Sequence, residues 1–503
     1  MKYTSTRSGE VCVSFEEALC SGYSSKDGGL FVPEKLPSID IPTLSAWSKF
    51  SFSELAYNIL RLFISPAEIS DAELDSICDA SFRQGFDETL ESTVPVKKIG
   101  QMYVAELFHG PTQCFKDLGM RVVVKMLSHF ATKSNRSITL LVSTTGDTGP
   151  AACQAVSDAN NRLMTLLVHY PNNQISAYQR KQLTTANSPY VHVVSFEGGG
   201  DDMDEPIKRI LASSGYSQDS PFFVCGVNSF NIGRPLAQIV HFFWTYFRVV
   251  ELQGLEIGSF IDIVIPTGAM GNVTGAMMAK KMGLPFRKLC TGVNINDIVH
   301  RTIQNGKFYK SANMEKTMSE AINVQVPYNF ERILYYLTNN GDHERVKSWM
   351  EQMEDTQKLD IESSILTKLQ ATFSSARVSD QEMFDSMIYL KEKFDYTVDP
   401  HTAVAVNAAT KLGYRIDDNT NEFPFAVLST ASPCKFEEVV TSALGKIGWE
   451  DYKKNHYPKK ALEIEMKVEQ LPTLYQWKDG LSLEEVQKQW EKQARDLIIE
   501  EFL

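Results

Sequence analysis

From about residue 100 onward, short apolar runs alternate with stretches of helical periodicity, and few architectures accommodate that order. The runs are MYVAELF (102–108), SITLLVS (137–143), LMTLLVHY (163–170), YVHVVSF (190–196), FFVCGV (222–227) and FIDIVIP (260–266). Helical patterns separate most of them, over 116–131, 148–157, 176–186, 203–213 and 230–252. Strands alternating with helices predict parallel sheet covered by helices on both faces. In such folds ligands sit at the carboxyl ends of strands, so the turns behind these runs are where chemistry is sought. A later run, FAVLST (425–430), is placed to rejoin the sheet, and roughly 329–396 reads as a long helical stretch.

The flanks read differently. Residues 1 to about 95 form a mostly helical lead-in. SFEEAL (14–19) opens a helix capped by Ser14, DGGLFVP (27–33) is a turn and short strand, and amphipathic helices follow over 51–64 and 66–83. The tail 483–501 reads as a solvated amphipathic helix whose charges form a wet face rather than a partner site. A length of 503 residues implies two or three domains, and 43% hydrophobic with 22% charged residues is an ordinary globular balance. The net charge of -12 argues against a general nucleic-acid or acidic-membrane binder, because phosphate neutralisation needs a basic surface. A small local anion site remains open. The eight cysteines form no CxxC and have irregular spacings, which predicts neither a zinc site nor a disulfide framework. No apolar run approaches the roughly 20 residues of a membrane span, and MKYTSTRSGE lacks a signal-peptide core. A cytoplasmic protein is expected.

Three strand ends carry chemistry. VSTTGDTGPAA (142–152) is a strand end, a polar glycine turn and a helix start, able to cradle a carboxylate or phosphate on free backbone N–H groups. As an ordinary strand–helix turn it would instead be capped by Asp147 or Thr148. IVIPTGAMGNVTGAMMAKKMG (263–283) repeats the design, with Gly268, Gly271 and Gly275 allowing close backbone approach. It is neither the GxGxxG of dinucleotide binding nor a GxxxxGK[ST] loop, so a different phosphate is implied. LSTASPCKF (428–436) ends a strand in hydroxyls and starts a helix at Pro433; Ser432 reads as its cap, and Thr430 as a hydroxyl facing a shared crevice. HExxH and GxSxG are absent from the sequence, and His109, His300 and His401 read as isolated, structural histidines.

HGPTQCFKDLGMR (109–121) adds a lysine in a helix's first turn. Burial and the positive helix end would both depress the Lys116 pKa, and a neutral amine is what condensation with an aldehyde requires. That lysine, a glycine-rich phosphate loop and a hydroxyl strand end are the parts of a pyridoxal phosphate site.

With these residues assembled, the chain resembles the threonine synthase family, its long eukaryotic form and its threonine-synthase-like relatives. STR (5–7), SFEEAL, DGGLFVP, HGPTxxFKD (109–117), TGDTG (145–149), PTGxxGN (266–272), NFER (329–332), DPHTAV (399–404) and TAxPxKF (430–436) carry the resemblance. It implies a tryptophan-synthase-β-like α/β fold (pyridoxal phosphate fold type II), with two open, twisted, mostly parallel-sheet lobes and a helical N-terminal domain. The implied division is 1–95, an N-terminal domain; 96–445, a catalytic domain with a smaller lobe at about 117–235; and 446–503, a helical extension. Lys116 would be the catalytic lysine. Gly268, Ala269, Met270, Gly271, Asn272 and Thr430 would complete the cofactor site. Thr145, Gly146, Asp147 and Thr148 would orient a substrate carboxylate, with Arg234, Asn329, Arg332 and Lys435 candidates for the substrate's phosphate. No metal is implied. A small phosphorylated amino acid is the implied partner, with neither nucleic acid nor membrane, for a monomer or homodimer.

The resemblance has departures. The family usually has tyrosine and alanine at Gln113 and Cys114, serine at Thr145 and Pro150, and asparagine–phenylalanine at Ala269–Met270. Tryptophan is usual at Ile232 and histidine at Ser432. NDIVHRT (296–302) and VQVPYN (324–329) look closer to the threonine-synthase-like group. The activity implied is phosphate release from O-phosphohomoserine to give L-threonine. One alternative is a phospho-lyase giving 2-oxobutyrate, ammonia and phosphate; another is a non-catalytic binding protein of the same fold.

Overall fold

Six strands form the larger of two main sheets, in the order Phe373–Arg377, Phe286–Val293, Ile261–Pro266, Phe425–Ser429, Met102–Glu106 and Val96–Ile99. All neighbours are parallel except the last pair. The smaller sheet, Thr473–Tyr475, Val191–Phe196, Met164–Pro171, Ser137–Ser143 and Phe222–Gly226, is parallel throughout. These descriptions come from a computed structural model covering residues 1–502 apart from 84, 87–89, 91, 218–219 and 339–340. All six apolar runs and FAVLST are strands, and the helices Lys116–Ser134, Thr148–Ala159, Ala177–Thr184, Asp204–Ser214 and Gly233–Gln253 lie where helical periodicity placed them. Asn135, Asn160 and Gly254 end three of these helices in the left-handed conformation, which asparagine and glycine reach at least cost.

Gly233–Gln253 is the central helix. It is buried without interruption from Gly233 to Phe247, as a helix apolar nearly all round must be. Lys116–Ser134, Gly271–Lys281 and Phe52–Arg61 pack on it, so the lead-in, the first catalytic helix and the glycine-loop helix share one core.

The lead-in contains helices Phe15–Ser21, Ile41–Trp47, Phe52–Arg61 and Asp71–Phe82. Ser14 caps the first through Glu17 N–H, and Ser51–Glu54 and Ser70–Glu73 form reciprocal capping boxes. Beyond the one short strand expected, it holds a three-stranded antiparallel sheet, Ser8–Val13, Tyr3–Ser5 and Phe31–Pro33. The stretch 329–396 also departs from the expectation of continuous helix. Phe373–Arg377 sits inside it as an edge strand, stabilised by parallel pairing with Phe286–Val293 that no local pattern announces.

The tail is less solvated than its charges suggest. Thr473–Tyr475 extends the smaller sheet, and helix Leu483–Phe502 buries Val486, Trp490 and Ala494. Trp490 packs on Phe196 with ring centroids 5.2 Å apart, and Glu491 pairs with Arg209 at 2.6 Å. Among the described residues no helix is long and apolar enough to cross a membrane.

Candidate active site

A cavity lies where strand ends of both sheets meet. Ser143 and the turn behind it, Pro266 and its turn, Thr430, and Lys116 at the start of its helix all line it. The lysine is set by its own loop. Asp117 folds back to accept from Thr112 N–H at 2.8 Å and the Thr112 hydroxyl at 2.7 Å. A Cβ on Gly110 would stand 2.4 Å from the Asp117 carboxylate, so only glycine fits there. This loop is bonded to the strand end carrying Thr430. Phe115 N–H donates to the Thr430 carbonyl at 2.8 Å, and Ser432 N–H to the Gln113 carbonyl at 3.0 Å. Lys116 and Thr430 therefore reach the cavity as one hydrogen-bonded unit.

The Lys116 amine makes no hydrogen bond or ion pair with a described residue. It lies over the Phe115 ring, 4.5 Å from the ring centroid. Burial first, then the Arg234 guanidinium, push its pKa down to about 8. Arg234 sits at the start of the central helix. It donates to the Val227 carbonyl at 2.9 Å, while its Nε is buried with no partner among the described residues.

The turn 267–272 wraps a second side of the cavity. Met270 is in the left-handed region at φ 59°, and helix Gly271–Lys281 has no side-chain cap, so its first N–H groups point free. A Cβ on Gly271 would lie 2.8 Å from Ser229 Cβ, and one on Gly268 3.1 Å from Ile322 Cα. Asn272 Oδ1 accepts from His241 Nε2 at 2.9 Å, leaving Nδ2 buried with no partner among the described residues.

The third side is the turn 144–148. Thr144 Oγ1 accepts from Gly146 and Gly149 N–H at 3.1 and 2.9 Å. Gly146 holds φ 114°, a conformation reserved for glycine. Asp147 precedes helix Thr148–Ala159 but does not cap it; its carboxylate meets Lys435 Nζ at 2.9 Å and Gln179 Nε2 at 3.0 Å. Burial alone would raise that carboxyl, yet Lys435 and then His401 outweigh it and hold it low.

Of the residues singled out from the sequence, Lys116, Gly268, Ala269, Met270, Gly271, Asn272, Thr430, Thr145, Asp147, Thr148 and Arg234 line the cavity. Gly146, Asn329, Arg332 and Lys435 do not. Lys435 is wholly buried against Asp147 and the Thr112 carbonyl, so its charge is already neutralised. Asn329 donates to the Ala269 carbonyl at 3.1 Å and Ser229 Oγ at 3.0 Å, bracing the glycine turn from behind. Arg332 spends its guanidinium on Asn329 Oδ1 and the carbonyls of Phe31, Ser229 and Phe230.

The departures sort the same way: only Thr145, Ala269 and Met270 reach the cavity. Ser432 Oγ lies 3.1 Å from Tyr452 Oη and Gln113 accepts from Tyr178 at 2.9 Å, both away from the cavity.

Sequence reasoning missed His401, Ser143, Asn228, Tyr328, Asp201 and Asp204 on the cavity wall. His401 is not isolated: Nδ1 meets Asp399 at 2.8 Å and Nε2 accepts from Ala321 N–H at 3.1 Å. Asp201 and Asp204 follow strand Val191–Phe196 in GGGDDMD, a polar strand end that the rule applied elsewhere would have flagged.

Ser143 Oγ, Arg234 Nε, Gln238 Oε1 and Asn272 Nδ2 are buried on this cavity with no partner among the described residues. Mostly donors, beside a free amine and an uncapped helix start, they fit a phosphorylated aldehyde such as pyridoxal phosphate. Two family profiles match the chain: threonine synthase N terminus over residues 2–82, and threonine synthase, C-terminal over 402–480. Threonine synthase-like 2 of Xenopus laevis is 36% identical over 444 residues, covering 88% of this chain and 90% of that protein.

The chain belongs to the threonine synthase family.

Two solved structures of the family agree in fold. The threonine synthase from yeast superposes with a TM-score of 0.84 at 30% identity, covering 98% of this chain and 99% of that one. The threonine synthase from Brucella melitensis, solved with pyridoxal phosphate bound, gives 0.82 at 27% identity over 97% and 99%. The two parallel-sheet lobes of this chain are thus the threonine synthase form of pyridoxal phosphate fold type II.

Proposed function

We propose that the protein releases phosphate from O-phosphohomoserine or a close γ-phosphorylated amino acid, with L-threonine as the product. It is a pyridoxal-phosphate-dependent enzyme of the threonine synthase type, a lyase acting on phosphates. The observation that carries the reading is the unpaired, depressed amine of Lys116 facing the glycine turn and Thr430.

Gly268–Asn272 would hold the cofactor's phosphate, Lys116 its aldehyde carbon and Thr430 its ring nitrogen. When bound, the cofactor supplies an electron sink that acidifies the hydrogens near the substrate's amine. A hydroxyl at the ring nitrogen cannot fully protonate it as a carboxylic acid would, which moderates that sink. The Lys116 amine would be the group that moves protons at Cα, Cβ and Cγ of the substrate. The turn 145–148 would receive the substrate carboxylate, and Arg234, with Nε unpartnered, is the cation suited to its phosphate. Water then adds at Cβ. In sum, O-phosphohomoserine and water give threonine and phosphate. Retention of the synthase outcome is supported by the departures at Gln113, Cys114, Pro150, Ile232 and Ser432, none of which lines the cavity.

A second reading has its own support. The chain is 36% identical to a protein named threonine synthase-like 2, and the resemblance to that group implies an outcome in which no water is added at Cβ after phosphate leaves, and hydrolysis gives 2-oxobutyrate and ammonia instead. Incubating the loaded protein with O-phosphohomoserine and separating threonine from 2-oxobutyrate decides between them. Absence of released phosphate would defeat both. A protein that stays colourless with added cofactor would favour the non-catalytic alternative.

A further inference from the structure

Breaking the Cγ–O bond of a phosphate monoester leaves the electron pair on the ester oxygen. The second pKa of such a monoester is about 6, so at neutral pH the group is mostly a dianion. Departing unaided it would leave as a trianion, and a proton must therefore reach the phosphate as the bond breaks. Lys116 is occupied with the carbon-bound hydrogens, and Arg234 holds its protons too tightly to give one.

Two further acids line the same cavity. Asp201 and Asp204 enter it from the segment behind strand Val191–Phe196, facing the wall that carries Tyr328. Gly200 brings this segment against the carboxylate turn, since a Cβ there would lie 2.7 Å from Thr145 Cγ2. The Asp204 carboxyl makes no hydrogen bond or ion pair with a described residue. Arg234, whose Nε is buried with no partner among the described residues, lines the same cavity and supplies it with a cation for an anionic ligand.

On the reading that this cavity binds a γ-phosphorylated amino acid, we propose that Asp204 is the general acid that protonates the departing phosphate, with Asp201 keeping it in the acid form. The Asp204 proton passes to a phosphate oxygen as the Cγ–O pair leaves; hydrogen phosphate departs, and Asp204 remains as carboxylate until it regains a proton from solvent. Burial first, then Asp201, push the Asp204 carboxyl up to about 8, and burial raises Asp201 to about 6. Asp202, Glu205 and Lys208 on its own segment also act on Asp204; Lys208 favours the charged form and is outweighed. Tyr328 faces both carboxyls, and Lys310 acts on Asp201 and Asp202. An approaching phosphate dianion adds to the pressure against ionisation.

The test is Asp204→Asn, which keeps shape but has no proton to give. Two rates are measured on the cofactor-loaded protein. One is phosphate release from O-phosphohomoserine. The other is exchange of the Cα hydrogen for deuterium in the phosphonate isostere, where a methylene replaces the ester oxygen and nothing can leave. Phosphate release should fall by about 10²–10⁴-fold, the usual contribution of a general acid, with Cα exchange changed less than about threefold. Wild-type release should also decline as pH rises through about 8, a limb absent in Asp204→Asn and moved to lower pH in Asp201→Asn. Equal loss of both rates would reduce Asp204 to a structural group, and unchanged phosphate release would remove it from the reaction; either overturns the proposal. If the wild-type chain released no phosphate, the substrate reading itself would fall, and this inference with it.

Discussion

At the scale of single residues, the site depends on an amine whose neutral form is brought closer to physiological pH at some expense. Lys116 has a folded-state pKa of about 8 against 10.5 for a free lysine. Uptake of the cofactor aldehyde by apo-protein should therefore accelerate with pH and level off above about 8. Stopped-flow growth of visible absorbance measures it, and a flat profile would contradict a depressed amine. The same shift has a cost in stability. A lysine whose pKa is lowered on folding destabilises the native state by a constant amount below the folded pKa, and the penalty vanishes as pH rises to 10.5. The shift amounts to about 3 kcal/mol at about 1.4 kcal/mol per unit. Apo Lys116→Met should be the more stable protein at pH 7 in urea melts, by up to that amount, and the gap should close toward pH 10.5. Lys116 was legible in the sequence because its motif and helix-start position agree on one chemistry. Lys435 was not. Whether a lysine is free for a ligand depends on what it meets across the fold, and here it meets Asp147.

At the scale of elements, strand-end turns place the chemistry, and their glycines were readable wherever a strand and a helix flank them. The turn 144–148 illustrates how tight such a device is. A Cβ on Gly146 would lie 2.4 Å from the Gln179 amide, which in turn holds Asp147 at 3.0 Å, and φ is 114°. Gly146→Ala should raise KM for the amino-acid substrate by about tenfold or more, the counterpart of about 1.4 kcal/mol. The visible absorbance of the bound cofactor should persist, since Lys116 and the glycine turn 267–272 stand apart from Gln179. Loss of that absorbance would show that the two turns are one unit. Elements that stayed hidden share a physical cause. Phe373–Arg377 and Thr473–Tyr475 are edge strands of five and three residues, too short for periodicity, and owe their form to Phe286–Val293 and Val191–Phe196 beside them.

At the scale of the whole molecule, the lead-in region is joined to the cofactor turn by one continuous set of buried polar contacts. Arg7 meets Glu331 in a two-pronged pair at 3.0 Å, and Thr6 donates to the same carboxylate. Two residues before Glu331 in NFER stands Asn329, which braces the Ala269 carbonyl. Arg332 ties the set together: it donates to the Phe31 carbonyl in the lead-in sheet at 3.0 Å and to Asn329 Oδ1 at 2.7 Å. A fully buried guanidinium with these partners positions the turn without touching the cavity. Arg332→Met should thus weaken cofactor affinity by about tenfold, equal to about 1.4 kcal/mol, although no cavity-lining side chain is changed. Arg332→Lys should not restore it, because a point charge cannot serve both the Phe31 carbonyl and Asn329 as a planar fork does. Equilibrium dialysis below the unfolding temperature, read by visible absorbance, measures both variants. An unchanged dissociation constant in Arg332→Met would mean that Asn329 holds the turn alone, and that the lead-in region contributes to folding but not to the site.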